Sequence, residues 1–341
     1  MVTRKDVARR AGVSPSTVSY VISGERAIST ETRERVERVM RELDYTPNAI
    51  ARSLAGTRRG IVALHFPAGH RGLNTTEFEY LTAAAQRARR HGYHALLWSD
   101  AVDDVDSLRS LLGSQMVDGL IIMEVLTEDP RVPLLRAAGV PFTLIGRPSD
   151  TEGLVCVDDD FDVLAAHAID HIADLGHHEV LYLTHSADDL DAGHGPGVRT
   201  LEALEEAARR RRIHLSRFHA ESATRGGHEA FAHLRSLSPA PTAVIGFNEL
   251  AVAGLLRAAS LADVAIPTDL TVVALSLADV AAEMLTPPLT TVSPSASKLA
   301  TIAVDALVDL IEGRAALETP ALVTPVLTVR GSSGPVPRTR V

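Results

Sequence analysis

The chain has one cysteine, Cys156, in 341 residues, so no disulfide can close within it. Flanked by Val155 and Val157, that thiol reads as a buried strand residue rather than a reactive one. No apolar run approaches the ~20 residues of a membrane span, and Met1 leads into a polar, capped segment without a signal-peptide core; a cytoplasmic location is expected. There is no Walker phosphate loop, no Gly-x-Ser-x-Gly elbow and no dinucleotide fingerprint, so neither an enzyme nor a cofactor is expected. His177-His178-Glu179 lacks the spacing of a helical zinc site and reads as a helix-to-strand turn. Asp158-Asp159-Asp160 reads as a capping and loop cluster, and Gly193-His194-Gly195-Pro196-Gly197 as a flexible loop near a cleft. Arg209 to Arg212 read as a solvated helix end.

What is present is length and an uneven charge. At 341 residues and 45% hydrophobic content the chain has enough apolar material for two or three domains. The net charge of −9 is divided unequally: residues 1–60 hold 12 basic and 7 acidic side chains, a net of +5, and the remainder holds 22 against 36, a net of −14. A basic head on an acidic body confines phosphate attraction to the head.

That head begins with two helices around a tight corner. Thr3 caps the first, Asp6 answers its backbone NH three residues on, and Val7, Ala8 and Ala11 make a small apolar face. Gly12 accepts the left-handed backbone of a sharp turn, and Val13 plugs the corner. Ser14 caps the second helix and Pro15 takes its first position, where a missing NH costs nothing. Val18, Val21 and Ile22 then repeat at the spacing of a buried face, up to Gly24. Ser16, Thr17, Ser19, Tyr20 and Ser23 are left outside, a hydroxyl-rich surface sized for a major groove. The bland alternative is an ordinary capped helix pair.

Ser29 caps a third helix, in which Val36, Met40 and Leu43 face inward while Arg33, Glu34, Arg35, Glu37 and Arg38 stay mostly wet. After Tyr45-Thr46-Pro47, Asn48 caps a two-turn segment, Ala49 to Ala55, ended by Gly56. A helix below ~12 residues is marginal alone, so this one is expected to form only against a partner. Leu54 on it is an apolar wedge for a minor groove, or else an incidental linker residue.

The runs VARRAGVSPSTVSYVISG and TRERVERVMRELDYTPNAIARSLAG, with Pro288-Leu289-Thr290-Thr291-Val292, closely resemble the lac-repressor (LacI/GalR) family of transcriptional regulators, and the resemblance covers essentially the whole chain. It implies a sequence-specific DNA-binding regulator, a repressor before an activator, acting as a homodimer on a near-palindromic operator in double-stranded DNA. By resemblance Pro15, Ser16 and Tyr20 read bases, with Thr17 and Ser19 nearby and Ala51 and Leu54 in the hinge. Thr3, Ser14, Ser23, Arg26, Thr32 and Asn48 complete the expected DNA-facing set. Pro15-Ser16 stands where the family's namesake has Tyr-Gln, and Tyr20 where it has Arg, so the preferred bases are expected to differ. The rival reading is a small-molecule-binding protein whose headpiece no longer reads DNA.

From Arg58-Arg59-Gly60 onward, strands apolar on both faces alternate with helices, the pattern of parallel sheets covered on both sides. The expected architecture is an all-α helix-turn-helix headpiece (1–46), a hinge helix and linker (47–59), and an α/β body (60–341) of two parallel-sheet subdomains. The resemblance implies the periplasmic-binding-protein-like arrangement, with an N-subdomain over about 60–158 and 290–319 and a C-subdomain over about 159–289 and 320–330. The tail from Gly331 to Val341 has no heptad repeat, which favours a dimer over a tetramer.

Ligands of such sheets sit beyond the carboxyl ends of the strands. A small-molecule effector, a sugar or derivative among the candidates, is expected at Phe66, Arg147 and Asp158 beside strand ends and, by resemblance, at Arg199, Asn248, Glu249 and Ser276. Arg199 matches the family's effector-binding arginine, and Asn248-Glu249 stands where Asn-Asp is usual. Ser276 stands where a ligand-binding carboxylate is usual, and a serine has neither the charge nor the reach to accept from two sugar hydroxyls. The expected effector is therefore modified, smaller or absent, an unidentified sugar being the alternative.

Overall fold

The computed structural model describes residues 2–23, 26–45, 59–67, 73–315 and 317–337. The segment expected to form the hinge helix, with Asn48, Ala51 and Leu54, lies outside the described residues.

Three helices form the headpiece: α1 (Arg4–Ala11), α2 (Pro15–Ser23) and α3 (Thr30–Glu42). Their ends are set by the expected residues. Thr3 and Asp6 make the reciprocal cap of α1, and Gly12 closes it at φ +67°. Ser14 Oγ accepts the Thr17 NH at 3.0 Å, and Ser29 Oγ accepts that of Thr32. Val7, Val18 and Val36 are fully buried and meet Ala8, Ala11, Val21 and Val39. Side chains this small let the helices approach closely, so a handful of residues suffices as core.

The body runs β1 (Ile61–His65), α4 (Thr75–Arg90), β2 (His94–Trp98), α5 (Val105–Gly113), β3 (Gly119–Ile122), α6 (Arg131–Ala138), β4 (Phe142–Ile145) and β5 (Cys156–Asp159). It continues through α7 (Phe161–Asp174), β6 (Glu179–Thr184), α8 (Ala187–Asp191), α9 (Gly195–Arg211), β7 (His214–His219), α10 (Thr224–Ser236) and β8 (Ala243–Gly246). Then come α11 (Glu249–Leu261), β9 (Thr271–Leu275), α12 (Asp279–Met284), β10 (Thr290–Ser293), α13 (Ala296–Glu312), β11 (Ala321–Val323) and β12 (Val326–Thr328). Two six-stranded sheets result, ordered β11-β5-β4-β3-β1-β2 and β12-β10-β9-β8-β6-β7. Among the described residues every strand pairing is parallel except β10 with β12.

The sheet pairings move the expected subdomain boundaries. β10 pairs with β9 in the second sheet and β11 with β5 in the first, so the chain crosses at Asp160, at Pro294-Ser295 and at Thr324-Pro325. The expected return near Thr290 is corrected because β9, α12 and β10 form a crossover unit within one sheet. The second half also extends past residue 330. Ser332, fully buried, donates to the Val272 carbonyl and accepts the Thr290 NH, and the Val336 NH donates to the Leu175 carbonyl.

Two local expectations are also corrected. Gly195-Pro196-Gly197 is no loop but the first turn of α9, capped by His194, whose Nδ1 accepts the Gly197 NH at 3.2 Å. A proline early in a helix marks a start rather than a break. Asp158 and Asp159 do not cap anything; they end β5, and only Asp160 caps, accepting from the Val163 NH.

Candidate functional site

On the headpiece, α2 turns its small apolar residues inward and leaves Pro15 and Ser16 exposed, with Thr17, Ser19 and Tyr20 half-buried beside them. Several hydroxyls are already engaged. Thr17 meets Ser14 at 2.9 Å, Thr32 meets Ser29 at 2.9 Å, and Thr3 serves its own cap. The Ser19 Oγ accepts from Arg4 Nη1 at 2.8 Å and itself donates to the Pro15 carbonyl. Arg26, exposed, lies 5.7 Å from the centre of the Tyr20 ring. Ser23 closes α2. Arg4 escaped the sequence reading: the i to i+3 grammar of one helix does not show a contact to a residue 15 positions away.

The second candidate is a cleft of about 520 Å³ between the two sheets, at the carboxyl ends of their strands. Of the expected effector residues, Phe66, Asp158, Asn248, Glu249 and Ser276 line it. Ser276 follows β9 at φ +48°, and Glu124, on the opposite wall, stands at φ +51°. Non-glycine residues in this left-handed region are strained, and strain of this kind concentrates where geometry serves binding.

Arg147 and Arg199 do not line this cleft. They share a separate cavity of about 360 Å³ with Thr127, Pro148 and Glu202. Arg199 Nη2 donates to the Arg147 carbonyl at 2.6 Å, and Arg147 Nε lies 3.6 Å from Asp158 Oδ2. Gly195 permits this placement, since a Cβ there would stand 2.6 Å from Arg199 Nη1 and 2.5 Å from the Val125 carbonyl oxygen. The correction has a physical reason: the first turn of α9 docks on the loop after β3, which directs the Arg199 side chain behind the cleft wall.

Contacts across the cleft join the two halves. Glu249, at the start of α11, accepts the Thr75 and Thr76 NH groups and the Thr76 hydroxyl, the last at 2.7 Å. A carboxylate of one subdomain thus caps the positive end of a helix in the other. Thr76 Oγ1 in turn accepts the Ala278 NH, and His194 Nε2 meets Glu124 Oε2 at 2.8 Å. Asn248 caps its own helix and donates to the Ala220 carbonyl.

Behind the first wall lies a buried polar knot that sequence reasoning missed. Arg131, 1% exposed, forms two contacts with the Asp129 carboxylate at 2.9 and 2.6 Å, and its Nη2 reaches the Met123 and Glu124 carbonyls. It thereby fixes the loop that carries Glu124. Arg131 Nη1 donates to His65 Nδ1 at 2.8 Å, which requires an unprotonated nitrogen there. Burial first, and the guanidinium second, press the His65 imidazole down to about 4.

Burial pushes Asp158 up to about 6, opposed by Arg147 and Arg199. Asp159 is driven well above the ordinary carboxylate value by burial and by Asp158, with only the Ser276 hydroxyl acting against it. The Tyr80 hydroxyl is raised for the same reasons, by burial and then by Asp159, Asp158 and Glu124. His177, by contrast, is a packing residue: its nitrogens meet Thr242 Oγ1 and the Gly334 carbonyl.

Comparison with known proteins matches both parts. Residues 3–48 fit the model of bacterial regulatory proteins of the lacI family, and residues 169–333 that of a periplasmic binding protein-like domain. The ribose operon repressor of Escherichia coli (strain K12) is 29% identical over 341 residues, 98% of this chain and 100% of that one. The HTH-type transcriptional regulator DegA of Bacillus subtilis is 31% identical over 84% of this chain and 85% of its own. Among solved structures, the lac repressor dimer bound to operator and the anti-inducer ONPF aligns at TM-score 0.80 and 25% identity, covering 98% and 99% of the two chains. The chain therefore belongs to the lacI family of bacterial regulatory proteins, which are sequence-specific DNA-binding transcriptional regulators.

Proposed function

We propose that the chain is a cytoplasmic repressor that binds a near-palindromic operator as a homodimer and answers to a small molecule in the cleft. The observation that carries this reading is the joining of an outward, hydroxyl-rich α2 to a body whose cleft is lined by two subdomains at once. A ligand that prefers one opening of the cleft shifts the population of that opening, and so the spacing of the headpieces attached to it. Pro15, Ser16 and Tyr20 read bases, Arg26 and Arg4 steady the face, and Ser276, Asn248 and Phe66 meet the ligand.

A dimer face is supported by apolar side chains that no described residue covers. Phe78 on α4 and Val280 and Met284 on α12 are 60%, 59% and 74% exposed, on helices from the two subdomains that pack together. A partner seated across both helices would sense their relative angle.

Footprinting and gel shift on DNA flanking the chain's own coding region test this reading across a range of salt. The expected result is a protected near-palindrome with steep salt dependence, and a loss of roughly 10- to 100-fold for Tyr20→Ala at unchanged melting temperature. Weak, sequence-independent binding, equal in the variant, would sink it.

A further inference from the structure

Two carboxylates in the cleft wall have incomplete pairing. Asp158 and Asp159 are 4% and 8% exposed, and both line the cleft. Asp159 Oδ2 accepts the Ser276 hydroxyl at 3.3 Å, but Asp159 Oδ1 and Asp158 Oδ2 have no hydrogen-bond partner among the described residues. Two cations act on Asp158, Arg147 at 3.6 Å and Arg199, and both line the neighbouring cavity rather than the cleft. Buried carboxylate oxygens without donors are unfavourable, so these two atoms define where a ligand gains most by donating.

The charge of the described lining narrows the donor. That lining includes seven carboxylates and neither a lysine nor an arginine. Phosphorylated or carboxylated ligands are repelled by such a wall. A neutral sugar hydroxyl can donate one hydrogen bond but brings no positive charge to draw these two carboxyls into their ionised form. An ammonium brings three donors and a full positive charge, and Phe66, Tyr80, Phe161 and Phe247 offer ring faces in the same space.

We propose that the effector carries a protonated amine seated against Asp159 and Asp158, and that the cleft takes an amino sugar or an amino polyol of similar size. Asp159 thus supplies, from β5, the carboxylate that the end of β9 lacks at Ser276. The inference rests on the cleft being the effector site, as read above.

The test is calorimetry on the full chain with matched pairs: glucosamine against glucose, galactosamine against galactose, mannosamine against mannose, with glucuronate as the anion. At least one amine should bind about tenfold or more tightly than its hydroxyl partner. Asp159→Asn should remove that preference while circular dichroism and melting confirm the fold. Equal affinity within every pair, preference for glucuronate, or no amine binding at millimolar concentration would overturn the proposal; so would an amine preference that survives in Asp159→Asn. Operator binding is measured on the same preparation without ligand. Its failure bears on the regulator reading, whereas intact operator binding with a preferred neutral sugar defeats the amine alone.

Discussion

The headpiece sets its candidate reading groups on one nine-residue helix, α2, outside a core of seven small residues. The cleft gathers its groups from strand ends as distant as Phe66 and Ser276, and several of them are buried charges. In the first case recognition and stability use opposite faces of a helix, and either can change alone. In the second the same side chains do both: Asp158 and Asp159 end an interior strand, and Arg131 braces a loop of the same wall. Exposed recognition leaves folding nearly untouched, whereas buried recognition ties ligand choice to the stability and pH response of the body.

The contrast breaks most visibly at Arg131. Arg131→Ala leaves the Asp129 carboxylate, 0% exposed at its side chain, without its ion pair. The body transition should lose about 3–5 kcal/mol in calorimetry, while headpiece helicity stays unchanged. A loss below about 1 kcal/mol would mean that the knot is not what holds the wall.

Acid titration sharpens the comparison next, because the wall holds two groups of opposite sign. His65 is held at about 4 against 6.5 for an ordinary histidine. The unfolded chain takes up that proton first, so His65 contributes stability that is fully present above about 6.5 and is lost as pH falls toward 4. Asp158 is raised to about 6 from 3.8, so the folded form holds that proton longer; its contribution is present below 3.8 and is lost as pH rises through about 6. Each amounts to roughly 3 kcal/mol across its window and the two oppose each other, with Asp159, raised in the same direction as Asp158, adding to the carboxyl side. His65→Asn should steepen the fall in stability between pH 4 and 6 and Asp158→Asn should make it shallower, both read as urea midpoints. Parallel curves for the two variants would refute the assignment.

The smallest effect belongs to the headpiece. Ser14→Ala removes the acceptor for the Thr17 NH and should cost the headpiece about 1 kcal/mol, with the body transition unmoved.

The headpiece was legible because its signals are local: Thr3 with Asp6, Gly12, and Ser14 with Pro15 each act within a few residues. The alternation of strands and helices was legible for the same reason. Arg131 was not, since a charged side chain defaults to the surface and nothing in its neighbours announces a cavity sized for it. Asp159 and Ser276 meet across 117 positions, a relation that exists only once the order of strands is known. Gly195-Pro196-Gly197 carried a readable signal, a proline within the first turn after a capping residue, obscured by the glycines on either side. The return of the chain at β10 could have been placed by the handedness of its crossover, which favours the sheet already holding β9.

The three crossings between the sheets are very short: Asp160 alone, Pro294-Ser295, and Thr324-Pro325. A door hung on three pins can swing, but it can neither slide nor be lifted away. Connections this short favour a change in the relative angle of the two halves over their separation, so occupancy of the cleft is best expressed as an angle. A lineage can rewrite the lining residue by residue, and so acquire a new chemical vocabulary, without changing the grammar in which the answer is delivered to DNA.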